Sequence, residues 1–196
     1  MSQPNGNLDP IERYLRAADR ARQQGVDTAP VALGTADATG RPSVRIVLLR
    51  RVDARGFVFY TNYGSRKARE LTENPRATLC QHWPTMEEQI RVEGTVEIVD
   101  PSESDAYFAG RPRDSQIGAW ASDQSQELES RDALERRYAE LEAKFAGLPV
   151  GRPPFWGGFR IVPDRVEFWS GRPGRLHERQ LFVRTATGWT SGWLYP

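Results

Sequence analysis

The tetrapeptide Gly64-Ser65-Arg66-Lys67 opens a short helical pattern and places two cations in its first turn. That end of a helix carries the positive pole of the macrodipole, so cations are misplaced there unless an anion joins them. Ser65 as cap, free backbone N–H groups and the side chains of Arg66 and Lys67 have the makeup of a phosphate cradle. An exposed basic turn would carry the same residues. Arg45 poses a second demand, because it lies among Val44, Ile46, Val47, Leu48 and Leu49, where a lone buried charge is costly. It needs a phosphate or a carboxylate, and Glu93 or Glu97 on a later strand is the carboxylate alternative.

Two further groups of donors follow. Arg111-Pro-Arg113 leads into Asp114-Ser115-Gln116-Ile117-Gly118-Ala119-Trp120-Ala121-Ser122, a surface segment that joins guanidinium forks to hydroxyls. It suits a phosphate, and it equally suits a capped loop. Arg175, His177 and Arg179 alternate, and alternation on a strand directs all three to one face. Such a face is either solvated or turned toward an aromatic ligand with ring nitrogens, carbonyls or a phenolate.

The elements that must position these groups are short and mostly extended. A helix begins with Asp9 as N-cap and Pro10 at N1, buries Ile11, Tyr14, Leu15, Ala18 and Ala21, and ends at Gly25. Strands are predicted at 30–36, 43–52 and 57–61, with turns at Ala38-Thr39-Gly40 and Ala54-Arg55-Gly56 that make antiparallel neighbours. In the second strand Val44, Ile46 and Leu48 point one way and Val47 and Leu49 the other, so both faces read as covered, one by a barrel and one by a subunit contact. A helix over 65–73, strands over 77–83 and 89–99, a helix over 102–109 and a longer one over 128–145, packed on the sheet through Leu134, Tyr138, Leu141 and Phe145, come next. Strands at 158–162, 165–169, 180–184 and 189–194 complete a closed antiparallel barrel with helices outside it.

Composition sets the limits. The 196 residues are 38% hydrophobic and 27% charged, as expected of one globular domain over 9–196 behind a polar leader at 1–8. A net charge of +1 offers no bulk field for nucleic acid, and the apolar runs are too short to span a membrane. With no apolar signal core at its start, the chain reads as cytoplasmic. One cysteine and two scattered histidines make an internal disulfide impossible and a zinc cluster unexpected. Only Lys67 and Lys144 are lysine, the other 25 basic residues being arginine, a bias read as genomic.

The order of the motifs is familiar. Arg45-Ile-Val-Leu-Leu-Arg50, Phe59-Tyr-Thr-Asn62, Gly64-Ser-Arg-Lys67, Arg111 to Trp120, Phe155-Trp-Gly-Gly-Phe159, Val166 to Trp169 and Arg175-Leu-His-Glu-Arg179 resemble the pyridoxamine 5'-phosphate oxidase family from about Asp9 to Pro196. The resemblance implies a mainly β fold with flanking helices, the FMN-binding split β-barrel, assembled as a homodimer with FMN at the interface. By motif, Arg45, Ile46, Val47, Leu48, Leu49, Arg50, Tyr60, Thr61, Arg66, Lys67, Gln89, Gln124, Ser125, Trp169 and Arg179 would hold FMN, some of them from the partner subunit. Arg50, Tyr107, Arg111 and Ser115 would take the substrate phosphate. Arg175, Leu176 and His177 would meet the pyridine ring, with Arg175 and His177 as the catalytic pair that orients it.

The implied reaction oxidises the C4' carbon of pyridoxamine or pyridoxine 5'-phosphate, with dioxygen as final acceptor and hydrogen peroxide as product. A related FMN oxidase of the phenazine-biosynthesis type, or a non-catalytic carrier of flavin or pyridoxal phosphate, is the alternative. There are three departures from the family pattern. Arg50 replaces a usual lysine, the leader lacks a usual Arg and Tyr, and Trp193 stands where arginine is common.

Overall fold

A computed structural model describes residues 9–196, so the polar leader expected at 1–8 lies outside the described residues. Helix α1 (Pro10–Gln23) starts as its sequence dictates, with the Asp9 carboxylate accepting the Ile11 N–H at 2.7 Å and Pro10 in the first turn. Its buried stripe of Ile11, Tyr14, Ala18 and Ala21 closes one side of the barrel core. Gly25, at φ +78, turns the chain out of the helix, a conformation that glycine adopts without strain.

Three antiparallel strands follow, β1 (Pro30–Ala36), β2 (Pro42–Asp53) and β3 (Gly56–Asn62). Helix α2 (Arg66–Glu73) leads into β4 (Arg76–Trp83) and β5 (Glu88–Ile98). After α3 (Pro101–Ala109), α4 (Arg113–Ala121) and α5 (Arg131–Lys144) come β6 (Trp156–Ser170), β7 (Glu178–Thr185) and β8 (Gly188–Leu194). The strand order is β3-β2-β1-β4-β5-β6-β7-β8, and an additional β3–β6 pairing closes the first six strands into a barrel. Strands β7 and β8 extend one wall beyond the closure. The core inside includes Leu33, Phe57, Phe59, Ile161 and Val166, all essentially inaccessible.

Four sequence expectations change. Within the segment 111–122, read as a surface segment or capped loop, Arg113–Ala121 form helix α4, with Gln116 and Ile117 buried. Helix α5 begins at Arg131, not 128, and packs on α4 and the Phe108–Ile117–Val150–Trp156 cluster through Tyr138, Leu141 and Phe145, not on the sheet. The strands expected at 158–162 and 165–169 are one 15-residue strand. Pro163 sits in it where the register shifts beside Gly94, and a bulge tolerates a residue that cannot donate to the ladder. A Cβ at Gly94 would lie 2.1 Å from the Val162 carbonyl oxygen, so the bulge requires glycine there.

The row Val44, Ile46 and Leu48 on β2 is exposed by 72%, 65% and 43% in the single chain, while Val47 and Leu49 on the other face are buried. Three branched aliphatic side chains in a row on water are an unpartnered apolar face.

Candidate functional site

A cavity of about 440 Å³ opens between the start of the β3–β6 pairing, β2 and helix α4. Ile46, Val47, Leu48 and Arg50 of β2, Tyr60, Thr61 and Asn62 of β3, and Lys67 of α2 form one wall. Tyr107 of α3, Arg111, Ser115, Gly118 and Ala119 of α4 and its approach, Ser122, Gln124 and Trp156 form the other. Its size suits a small ligand.

Two separate groups of cations face this space. At the α2 end, Lys67 is buried, and its ammonium donates to Thr61 Oγ1 at 3.0 Å, Gln124 Oε1 at 3.1 Å and Ser65 Oγ at 3.2 Å. All three acceptors are neutral. Burial, with Arg45 adding to it and Glu70 opposing, lowers the Lys67 pKa to about 8. The first turn of α2 holds no acidic residue, and Ser65, although at the N-cap position, makes no capping hydrogen bond because its hydroxyl serves Lys67 and Thr61. The expected cap is therefore a ligand to the lysine instead.

The second group is Arg50 and Arg111. Nη1 of Arg111 is buried without a hydrogen-bond partner, and its guanidinium lies 4.7 Å over the Trp156 ring and 5.4 Å from that of Phe108. A buried, orphaned donor on a half-buried cation costs free energy until an acceptor arrives. Burial lowers the Arg111 pKa; Tyr107 opposes this and Arg50 adds to it. Tyr107 stacks on Tyr60 at 4.0 Å between ring centroids, and Tyr60 stacks on Trp156 at 5.4 Å. Gly158 is what lets Tyr60 lie there, since a Cβ would come within 2.8 Å of its ring.

The remaining residues singled out in the sequence are placed elsewhere. Arg45 does not line the cavity; it donates to the Leu33 carbonyl, Thr35, Ser43 and Glu70, the last at 3.2 Å. Glu70 is thus its carboxylate, not Glu93 or Glu97, because β1 and β4 separate β2 from β5 in the sheet. Arg66 pairs with Glu70 at 2.8 Å, Leu49 faces the core, and Ser125, at φ +71, lies in the loop after Gln124.

Gln89, Trp169, Arg175, Leu176, His177 and Arg179 gather far from the cavity. Gln89 stands opposite Trp169 in the β5–β6 ladder, and Trp169 opposite Arg179 in β6–β7. Trp156 and Trp169 are near opposite ends of β6, roughly 40 Å apart along an extended strand at about 3.3 Å per residue. Arg175, His177 and Arg179 do not share a strand face as expected. Pro173–Arg175 is a 3-10 turn in which Gly174 and Arg175 have φ of +67 and +60, and β7 starts only at Glu178. The turn presents Arg175 and Leu176 to solvent, whereas Arg179 forms a two-point pair with the buried Glu167 at 2.8 and 3.0 Å. His177 lies 4.7 Å from the Trp169 ring, and its Nδ1 accepts the Arg172 N–H at 3.2 Å. A neutral His177 in that contact carries its proton on Nε2, which leaves Nε2–H as the outward donor.

Sequence reasoning missed Glu70, Asn62 and Trp156. Asn62 accepts the Gly64 N–H at 2.7 Å and donates to the Ser122 carbonyl at 3.0 Å, tying the α2 turn to the end of α4. The i,i+4 spacing of Arg66 and Glu70 was the one local signal for the carboxylate.

Comparison with known proteins accords with this architecture. The family model described as pyridoxamine 5'-phosphate oxidase matches residues 19–145, and that of the pyridoxine 5'-phosphate oxidase C-terminal dimerisation region matches residues 156–196. Pyridoxine/pyridoxamine 5'-phosphate oxidase of Anaeromyxobacter dehalogenans is 53% identical over 98% of both chains. That of Sphingopyxis alaskensis is 58% identical over 87% of this chain and 79% of its own. Among solved structures, PhzG from Burkholderia lata 383, in complex with tetrahydrophenazine-1-carboxylic acid, superposes with a TM-score of 0.93 at 34% identity, covering 100% of this chain and 98% of that one. A pyridoxamine 5'-phosphate oxidase-related, FMN-binding protein from Nostoc punctiforme shares the fold at a TM-score of 0.77 and 19% identity, over 97% of this chain and all of its own. With two family models spanning most of its length and relatives above half identity end to end, the chain belongs to the pyridoxamine 5'-phosphate oxidase family.

Proposed function

We propose that this chain is an FMN-dependent oxidase that converts pyridoxine 5'-phosphate, pyridoxamine 5'-phosphate or both to pyridoxal 5'-phosphate. The observation that carries the reading is one cavity lined by two groups of cations, Lys67 with its neutral partners and Arg50 with Arg111. FMN, the family's cofactor, and the proposed substrate each bear one phosphate, and the donors fit both. Lys67 is a desolvated cation with only neutral partners, and Arg111 has an orphaned donor.

In this reading Lys67, Arg66, Thr61 and Gln124 hold the FMN phosphate end, with Arg45 behind them. Arg50, Arg111, Tyr107 and Ser115 take the substrate phosphate as charged forks and hydroxyls. When bound, FMN supplies the two-electron acceptor for the C4' carbon and is restored by dioxygen, with hydrogen peroxide as the second product. Gln89, Trp169, Arg175, His177 and Arg179 serve the cavity of a second copy, since the length of β6 separates them from their own. The exposed Val44–Ile46–Leu48 row and the family's C-terminal dimerisation region support such a homodimer. From the second copy, Arg175 and the Nε2–H of His177 orient the ring, which is an entropic contribution to rate. Arg179 is held by Glu167 and stiffens that wall.

Among the described residues no helix is long and apolar enough to cross a membrane. The phosphate-binding set at Arg50, Tyr107, Arg111 and Ser115 favours a phosphate ester over the tricyclic ligand seen in PhzG.

The test is aerobic turnover of FMN-loaded protein with each phosphorylated vitamer, following aldehyde and peroxide together. Equal yields of both products are expected, and bound FMN with neither product would overturn the reading. Mixing chains that carry Lys67→Met with chains that carry Arg175→Ala checks the shared site. Each mixed dimer then holds one intact cavity, so at limiting FMN the mixture should be more active than either impaired protein alone.

A further inference from the structure

Glu70 does not line the cavity, and neither do Arg45 and Arg66, but it holds both of these cations next to Lys67. It is 4% exposed. Its Oε1 accepts Arg66 Nε at 2.8 Å, and its Oε2 accepts Ser43 Oγ at 2.6 Å, Arg45 Nη2 at 3.2 Å and the Thr35 hydroxyl. Each carboxylate oxygen therefore takes one arginine. Arg66 is gripped through Nε alone, and its two terminal amino groups have no partner among the described residues. Those two groups are the pair that binds a phosphate oxyanion in bidentate fashion. Arg45 is held the other way, with Nη1 and Nη2 both engaged, so it acts as a fixed charge behind the site.

The charges balance in a telling way. Arg45, Arg66 and Lys67 against Glu70 leave two positive charges uncompensated, and a phosphate monoester brings about −2 near neutral pH.

We propose that Glu70 is a positioning residue for the cofactor phosphate: it fixes the Arg66 fork through Nε and the Arg45 guanidinium behind it, so the phosphate meets preset donors. The proposal rests on the reading that the FMN phosphate lies at the α2 end. Two opposing effects make it decidable. A carboxylate near an anion site repels the anion, so by charge alone its removal tightens binding. Positioning predicts the reverse, because an unrestrained arginine must give up side-chain freedom on binding.

The experiment titrates apoprotein with FMN and with riboflavin, which lacks the phosphate, by quenching of flavin fluorescence, for wild type, Glu70→Gln and Arg66→Lys. Wild type should prefer FMN. Glu70→Gln should weaken FMN by about tenfold or more, the equivalent of one charged hydrogen bond, while riboflavin stays within about threefold. Arg66→Lys keeps the charge but loses the Nε contact and the fork, and should show the same selective loss. FMN binding that is unchanged or tighter in Glu70→Gln overturns the proposal, and so does an equal loss for both flavins, which marks a merely structural role. If Glu70→Gln does not fold, Arg66→Lys decides alone, and unchanged FMN affinity there overturns it. Wild type that binds both flavins equally sinks the phosphate assignment itself, and this inference with it.

Discussion

Lys67→Met separates a ligand-binding lysine from a structural one because the two predict opposite changes in the apoprotein. Burial takes the Lys67 pKa from 10.5 to about 8, a loss worth about 3 kcal/mol at ~1.4 kcal/mol per pH unit. The folded apoprotein carries that penalty at every pH below 8. Methionine fills the same space without the charge, and Gln124 still accepts from Thr61 at 3.0 Å. Apo Lys67→Met should therefore be as stable as wild type at pH 7, or more stable by up to about 3 kcal/mol, whereas most core substitutions destabilise. The FMN Kd should rise about 10- to 100-fold, the loss of one charged hydrogen bond of ~1.5–3 kcal/mol.

The pH dependence has a definite sign. The folded pKa is the depressed one, so between about 8 and 10.5 the unfolded chain binds more protons and apo wild type gains stability as pH rises. FMN affinity runs the other way, since the anion selects the ammonium. It should fall above pH 8 by up to about tenfold per pH unit, and Lys67→Met should lack this limb. Denaturant melts of apoprotein and fluorescence titrations across pH 7 to 10 read both. An FMN Kd within threefold of wild type, or a variant more than about 2 kcal/mol less stable than wild type at pH 7, would refute the reasoning.

Three more outcomes follow from the same geometry. Arg111→Met should raise KM for the phosphorylated substrate about 10- to 100-fold, from one charged hydrogen bond, with FMN retained and kcat changed little in steady-state kinetics. Arg160, with a side chain 1% exposed, pairs with Asp53 at 2.7 Å and Glu103 at 3.1 Å; Arg160→Met should cost about 3–5 kcal/mol in urea denaturation and leave the FMN affinity of the folded fraction unchanged. Ile46→Asp places a carboxylate in the exposed aliphatic row twice per symmetric dimer, and an unpaired charge there should weaken dimerisation by about 100-fold or more in sedimentation equilibrium. An unshifted dimer would move the interface off β2.

The sequence carried the local rules well and the tertiary partners poorly. Asp9-Pro10, the Ala38–Gly40 turn and the strand alternations are nearest-neighbour signals, and α1, β1 and β2 stand within a residue or two of where those signals put them. Helix α4 escaped because its cap is Pro112, which offers no side-chain acceptor, and because Gly118 and weak amphipathicity conceal the 3.6-residue period. The break expected in β6 came from Pro163-Asp164, whose meaning depends on Gly94, far away in the chain. At Gly171-Arg-Pro-Gly174 the turn signal was present, and reading through it as strand aligned three donors that the left-handed Gly174 and Arg175 in fact disperse. Among the site residues, Lys67, Arg111, Tyr107 and Ser115 meet in one cavity. The partner of Arg45 was illegible because strand order, not strand identity, decides which carboxylate can reach it.

The barrel explains why one chain holds only part of the proposed site. Strand β6 is common to both clusters: its first residues pair with β3 beside the cavity, and its last pair with β5 and β7 beside Trp169. Being extended along its length, it holds the two clusters apart and cannot fold back to join them. A second copy can supply what the first holds at its far end. In the proposed homodimer a twofold axis makes two such cavities at once, each with the proposed phosphate-binding cations of one chain and the proposed ring-facing donors of the other. The aliphatic row on β2 belongs to the same logic. Ile46 and Leu48 border the cavity and are exposed in the single chain, so a partner that covers the row also walls the cavity from water. In that proposal dimerisation and construction of the site bury one continuous surface, and a substitution that separates the subunits should lower FMN affinity along with activity.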